Sequence, residues 1–341
     1  MRSVEASGSF AAVGEAVGEA TREDVRFVID SLVPYLAKHT RLKTREAMLE
    51  AVTGHRRMTE AYFPEAFDYL RGLARGAACG LDDLVLALFD ENILDGFAEK
   101  CSTLAVKAAE GWIVGHNEDY DPHYRGRLKL LDLSFDGRPR VLAVSYPAKL
   151  PGIGGTLNAR SLSVTNNSLA AAEVTGVSTE ARVFKAALAS DLAEAEAGLR
   201  GAPSSLIFHL TVVSAAEGRA ASYEIGNAAS SSVLLERREL GEAPMAHTNT
   251  VINLPLIVPD GCSRNSRERY AKLVDVIASG APQDPEAMMS LLSGHDGLLN
   301  RTPEDHPTSV TLATVVIRAA SGELWVKEYG AADTAVGRFI I

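Results

Sequence analysis

The stretch Cys101-Ser102-Thr103-Leu104-Ala105-Val106, followed by Gly111-Trp112-Ile113-Val114-Gly115-His116-Asn117-Glu118-Asp119, decides how this chain is read. The first run has the pattern of a strand, and the second is an apolar strand that ends in polar groups. Neighbouring runs of this kind pair antiparallel, so the polar end of the second lies beside the start of the first. A thiol at that junction, met directly after the helical pattern of residues 21–100, points to a nucleophile with polar groups at hand.

Upstream, apolar residues fall at helical spacing: Val25, Val28, Ile29 and Leu32, then Leu70, Leu73, Leu84, Leu88 and Ile93. Pro34 and Pro64 kink or delimit these helices. Cys79-Gly80-Leu81-Asp82-Asp83 reads as a helix stop followed by a new start. Downstream the pattern is of strands, at 101–107, 111–116, 128–135, 140–146 and 160–167, with Phe135-Asp136-Gly137-Arg138 as a hairpin turn. Helices are expected at 179–188 and 190–199, strands at 206–214, 220–226 and 231–237, helices at 264–278 and 285–293, and closing strands at 309–318 and 323–329. Strand runs alternating with helix pairs predict an α+β protein with two mainly antiparallel sheets packed together and helices outside.

The 341 residues suffice for a sizeable core, and the formal net charge of -10 argues against a phosphate-backbone ligand. No nucleic-acid partner is expected. No continuous apolar run is long enough for a membrane span, and Met1–Ala20 lacks the basic and apolar regions of a secretory signal. The reading is a cytoplasmic protein with no membrane association. Cys79, Cys101 and Cys262 are too scattered for a local disulfide framework or a zinc knuckle, and Cys79 and Cys262 read as structural.

His116, Glu118, Asp119, Asp121 and His123 fall within eight positions and invite a metal reading. Strand alternation divides them between two faces, so no metal and no cofactor are expected. The Gly152-Ile153-Gly154-Gly155 run lacks the spacing of a dinucleotide fingerprint and reads as a bend. Arg264, Arg267, Glu268 and Arg269 at a helix start read as a solvated charged face, unless a guanidinium there grips a substrate carboxylate.

For Cys101 to attack a carbonyl, its thiol, with a reference pKa of about 8.5, needs a base. A histidine could serve, the candidates being His116, His209 and His247. Alternatively, cleavage of the peptide bond before Cys101 frees an α-amine with a reference pKa of about 7.7–8.0, which then acts as base for its own thiol.

The order and spacing of several segments resemble the acyl-coenzyme A:6-aminopenicillanic acid acyltransferase family of N-terminal-nucleophile (Ntn) hydrolases. They are Gly72-Leu73-Ala74-Arg75-Gly76 with Gly80-Leu81, Cys101-Ser102-Thr103, Gly115-His116-Asn117-Glu118-Asp119 and Leu162-Ser163-Val164-Thr165-Asn166-Asn167-Ser168-Leu169. His247-Thr248-Asn249, Asn265-Ser266-Arg267 and Thr311-Leu312-Ala313-Thr314-Val315-Val316 complete the set. The resemblance implies a four-layer αββα sandwich. It implies a precursor that cleaves itself between Lys100 and Cys101, giving a helical chain of residues 1–100 and a catalytic chain of residues 101–341 that stay together as one structural domain.

The same resemblance implies Cys101 as nucleophile, Asp119 as polar partner of the new amine and Asn249 as oxyanion donor. It places Ser266, Arg267 and Asn117 toward the substrate. The implied activity is hydrolysis of a small amide, or transfer of its acyl group to another amine, through a Cys101 thioester. Acyl-coenzyme A is admitted as acyl donor, and a homo-oligomer is left open. The alternatives are an unprocessed Cys-His amidohydrolase using His247 and a catalytically silent binding or scaffold protein. Lys100 stands where the family commonly has Gly, Glu118 where it has an aromatic residue, and Thr250 where His is frequent. Glu118 should make its wall of the pocket more polar.

Overall fold

A computed structural model describes residues 1–94, 101–171, 175–228, 233–255, 264–294, 298–304, 306, 309–331 and 335–341. The chain opens with strand β1 (Arg2–Gly8) and continues through helices α1 (Phe10–Ala20), α2 (Arg22–His39), α3 (Arg45–Tyr62), α4 (Pro64–Ala77), α5 (Leu81–Leu88) and the single turn α6 (Asp90–Ile93). Strands β2 (Ser102–Ala108), β3 (Gly111–Tyr120), β4 (Lys129–Phe135), β5 (Val141–Ser145), β6 (Thr156–Asn158) and β7 (Leu162–Ala171) follow. Then come α7 (Thr179–Ala187), α8 (Leu192–Leu199), β8 (Leu206–Ser214), β9 (Arg219–Asn227), β10 (Val233–Glu239) and β11 (Met245–His247). The last elements are α9 (Arg264–Gly280), α10 (Pro285–Leu292), β12 (Val310–Arg318), β13 (Glu323–Glu328) and β14 (Gly337–Ile340).

The strands form an eight-stranded sheet in the order β1-β4-β5-β6-β7-β8-β9-β10 and a six-stranded sheet in the order β11-β2-β3-β12-β13-β14. Every pairing is antiparallel except β1 with β4. Alternation along the strands divides the six-stranded sheet into two apolar faces. Leu104, Val106, Ile113 and Val316 cluster with Leu273, Met288 and Leu292 of α9 and α10. Ala105, Trp112, Val114 and Val315 face inward and join the core shared with the larger sheet. On the far side, Val183 and Leu192 of α7 and α8 pack with Phe208, Leu210 and Tyr223. Helix, sheet, sheet, helix is therefore the layer order, as expected.

Residues 1–100 are not wholly helical, because β1 joins the larger sheet. It pairs in parallel with β4 from Arg2↔Lys129 to Gly8↔Phe135. The helices behind it cross closely: a Cβ on Gly72 would lie 2.0 Å from Ala11 O, and one on Gly14 would lie 2.1 Å from Tyr69 O. Pro34 sits within α2, whereas Pro64 starts α4. Gly137 takes a φ of 71° in the expected hairpin turn. Among the described residues no helix is long and apolar enough to cross a membrane.

Candidate active site

The β2–β3 ladder sets the site. Its register pairs Thr103 with His116 and Ser102 with Asn117, which brings the polar end of β3 beside the start of β2. Thr103 points toward the larger sheet, where its hydroxyl donates to Asn167 Oδ1 on β7 at 2.9 Å. By strand alternation Cys101, Thr103, His116 and Glu118 share this inner face, while Asn117 and Asp119 face outward.

On the inner face the buried Cys101 thiol donates to Glu118 Oε2 at 3.6 Å. The same oxygen lies 3.0 Å from His116 Nε2, and Tyr146 donates its hydroxyl to the other carboxylate oxygen at 2.6 Å. His116 Nδ1 sits 2.9 Å from Thr103 Oγ1. Burial, then the charge of Glu118, pushes the Tyr146 phenol well above its ordinary pKa, so it acts as a donor. Beside the thiol lies a cavity of about 20 Å³ walled by Glu91, Glu118, Tyr120, Tyr146, Lys149 and Ser168.

Arg269, on the buried stripe of α9, ties Cys101 to the loop after β11. Its guanidinium donates to Cys101 O at 2.7 Å, to Ser102 Oγ at 2.8 Å and to Asn249 Oδ1 at 2.7 Å. Asn249 Nδ2 donates to Ser168 O at 2.7 Å, and Asn249 N–H donates to Ser266 Oγ at 3.0 Å. The Asn249 amide is thereby held on several sides before any substrate arrives.

The other residues singled out in the sequence occupy different surroundings. Asp119 is buried, accepts from Thr311 Oγ1 at 2.7 Å and lies 3.9 Å from the Arg301 guanidinium. Burial raises its carboxyl pKa, while Arg301, Arg269 and Thr311 oppose that rise. Its Oδ2 has no hydrogen-bond partner among the described residues. Asn117 donates to Leu292 O and Leu299 O and accepts from Thr314, so it anchors the end of α10. Ser266 is buried and braces Thr248, Asn249 and Thr250. Arg267 is exposed on α9. Lys100 and Cys262 lie outside the described residues.

His247 is held by other partners, 2.8 Å from Glu224 Oε1 and 2.8 Å from Thr248 O. Burial raises the Glu224 carboxyl, but His247 and the Asn253 and Leu254 N–H groups outweigh this and hold its pKa below the ordinary value. His209 stacks on His247 at 3.6 Å, and burial lowers its pKa well below the usual range.

A second buried charge group adjoins the cavity. Lys149 lies 2.9 Å from Asp90 Oδ1 and 3.1 Å from Glu180 Oε1. Burial opposes the charged ammonium, yet Asp90 and Glu180 carry its pKa well above the ordinary value. Burial raises Glu180 to about 7. Sequence reasoning missed Lys149 and Tyr146, and it read Arg269 with Arg264, Arg267 and Glu268 as one solvated charged face; the other three are exposed, but Arg269 lies on the opposite, buried side of the helix. The spacing of Ser266, Arg269 and Leu273, three residues on one helix face, was the signal that could have found the arginine.

The family model described as acyl-coenzyme A:6-aminopenicillanic acid acyl-transferase matches residues 106–331. Among solved structures, the chain is similar to a mutant of the conjugated bile acid hydrolase from Clostridium perfringens. That match has a TM-score of 0.45 and 12% identity, and covers 71% of this chain and 92% of the other. It is also similar to the Caenorhabditis elegans ortholog of N-acylethanolamine-hydrolyzing acid amidase, with a TM-score of 0.45, 13% identity and coverage of 71% and 100%. Comparison with curated proteins gives no match.

Proposed function

The chain belongs to the acyl-coenzyme A:6-aminopenicillanic acid acyl-transferase family, and from that premise we propose that it cleaves a small amide, or transfers its acyl group, through a thioester on Cys101. The observation that carries this reading is the buried guanidinium of Arg269, which by itself holds both the Cys101 carbonyl and the Asn249 amide oxygen. Nucleophile and oxyanion donor are thereby fixed to one rigid group, the preorganisation that acyl transfer requires.

In the reaction the Cys101 sulfur attacks the substrate carbonyl as its proton passes to the base, the freed α-amine. The oxyanion accepts a hydrogen bond from the Asn249 amide N–H, and collapse expels the amine, which takes the proton back from that base. Water or a second amine then attacks the thioester and restores the thiol. In the intact chain Glu118 accepts the thiol hydrogen bond. The proposal includes self-cleavage between Lys100 and Cys101, after which the freed α-amine serves as base and Asp119 as its polar partner. Ser266 braces the Asn249 loop and Asn117 braces the end of α10, and Arg267 is proposed as a substrate contact. The proposal admits acyl-coenzyme A as acyl donor and takes the protein to work without a cofactor in the cytoplasm.

Intact mass of the purified protein tests the proposal. Two associated chains of residues 1–100 and 101–341 are expected, together with one unsplit chain for Cys101→Ala. A wild-type chain that stays whole on prolonged incubation removes the processing step. Failure of Cys101 to form a mass adduct with a panel of activated amides removes the thioester.

A further inference from the structure

Three different ligand atoms converge beside the cavity: Cys101 Sγ, His116 Nε2 and Glu118 Oε2 all lie within 4.8 Å of one another. Two of the separations are 3.6 Å and 3.0 Å. Around a tetrahedral zinc ion, with bonds of about 2.0–2.3 Å, ligand atoms stand about 3.3–3.8 Å apart. The 3.6 Å separation falls inside that range, the 3.0 Å separation just below it, and the third is at most 4.8 Å, so the side chains need only adjust their spacing to enclose such an ion. We infer that Cys101, His116 and Glu118 form a binding site for one thiophilic divalent cation, zinc being the best fit.

Independent features of the surroundings support it. The far atoms of two ligands are already held, His116 Nδ1 by Thr103 and Glu118 Oε1 by Tyr146, as the outer partners of a metal site hold its ligands. The adjoining cavity of about 20 Å³ has room for one water as fourth ligand. A thiolate and a carboxylate together balance a double positive charge, so the loaded site buries no net charge. Mixed sulfur, nitrogen and oxygen ligation selects zinc-like ions over magnesium or calcium. Alternation along β3 does separate Asp119 from His116 and Glu118, but β2 supplies the third ligand from the adjacent strand.

Binding releases the thiol proton to solvent and commits the sulfur lone pair to the metal. The binding itself is independent of the proposed reaction. Its consequence, a nucleophile held silent until the ion leaves, rests on that reaction.

The test uses the purified protein, stripped with a chelator and checked for fold by circular dichroism, then titrated with cobalt(II) as a spectroscopic stand-in. One equivalent should bind, with thiolate-to-cobalt charge-transfer absorption and the visible bands of four-coordinate cobalt, and zinc should displace it. Cys101→Ser should abolish the charge-transfer band. His116→Gln and Glu118→Gln should each weaken binding by at least about tenfold, the lower end of the change that follows loss of a metal site's supporting groups. No band in the wild type, or wild-type affinity in any folded one of these variants, overturns the site. Zinc should also protect Cys101 from iodoacetamide. A Cys101 that alkylates freely in the presence of zinc removes the metal site while leaving the proposed nucleophile intact.

Discussion

Arg267 and Arg269 lie two positions apart on α9 and do unlike work. Arg269 is fully buried and bonded to Cys101, Ser102, Asn249 and Asn265, so Arg269→Met leaves these acceptors without their donor. The expected loss is about 3 kcal/mol or more in urea unfolding, because each buried acceptor left unpaired costs about 1–3 kcal/mol. Arg267→Ala should change stability by less than about 0.5 kcal/mol, as exposed substitutions do. Asn249→Ala should fold but lose turnover by on the order of a hundredfold, the effect of deleting one oxyanion donor. Near-normal turnover would remove Asn249 from that role.

At this scale Cys101 stood out in the sequence, because a thiol opening a strand at a sharp change of pattern is a local signal. Arg269 and Tyr146 were not. Their importance arises from contacts with residues 168 and 28 positions away, Cys101 and Glu118, which no local spacing encodes. Asn117 and Ser266 illustrate the converse: both sit in motif segments, yet their side chains brace neighbouring backbone.

Elements call for a different argument. The α1–α4 crossing depends on glycines that admit backbone to backbone, so Gly72→Ala should force the helices apart. A Cβ there meets Ala11 O at 2.0 Å, well inside contact distance. We expect a loss of about 3 kcal/mol, the upper part of the overpacking range, read as a shift in the urea midpoint at unchanged slope.

The link between the turn α6 and α7 is electrostatic. Glu180 at the start of α7 is raised from 4.5 to about 7 by burial, with Asp90 adding to the rise and Lys149 opposing it. The folded state therefore favours its neutral form. Its stabilising contribution is complete below about pH 4.5 and is lost as pH rises through about 7. Glu180→Gln should flatten the pH dependence of stability in that window by up to one proton, about 1.4 kcal/mol per pH unit. An unchanged slope would show that Glu180 does not titrate there.

Long periodic helices and strands were legible because each carries its own apolar pattern. The strands left out of that reading were β1, β6, β11 and β14. Three of these have only three or four residues, too few for alternation to declare itself. β1 alternates weakly, with one buried residue, Val4, and depends on β4 to become a strand.

For the whole molecule the layer order followed from strand runs alternating with helix pairs, but the placement of residues 1–100 did not. The expectation was a helical layer resting on the sheets. Instead the segment also contributes an edge strand, hydrogen-bonded along β4. Residues 101–341 expressed alone should expose both that edge and the apolar surface beneath the helices, and should aggregate unless residues 1–100 are supplied alongside. A soluble, monomeric 101–341 chain in size-exclusion chromatography would contradict this.

The parallel ladder between β1 and β4 also changes the order of the folding reaction. In an uncut chain, forming it is an intramolecular event, and the melting temperature is indifferent to how much protein is in the tube. If the bond before Cys101 is severed, the same ladder must be made by two molecules finding each other. Refolding then becomes bimolecular, and the midpoint of unfolding falls on dilution. Melting curves of wild type and Cys101→Ala across a hundredfold range of concentration should therefore diverge, with only the cut protein sliding to lower temperature as it is thinned.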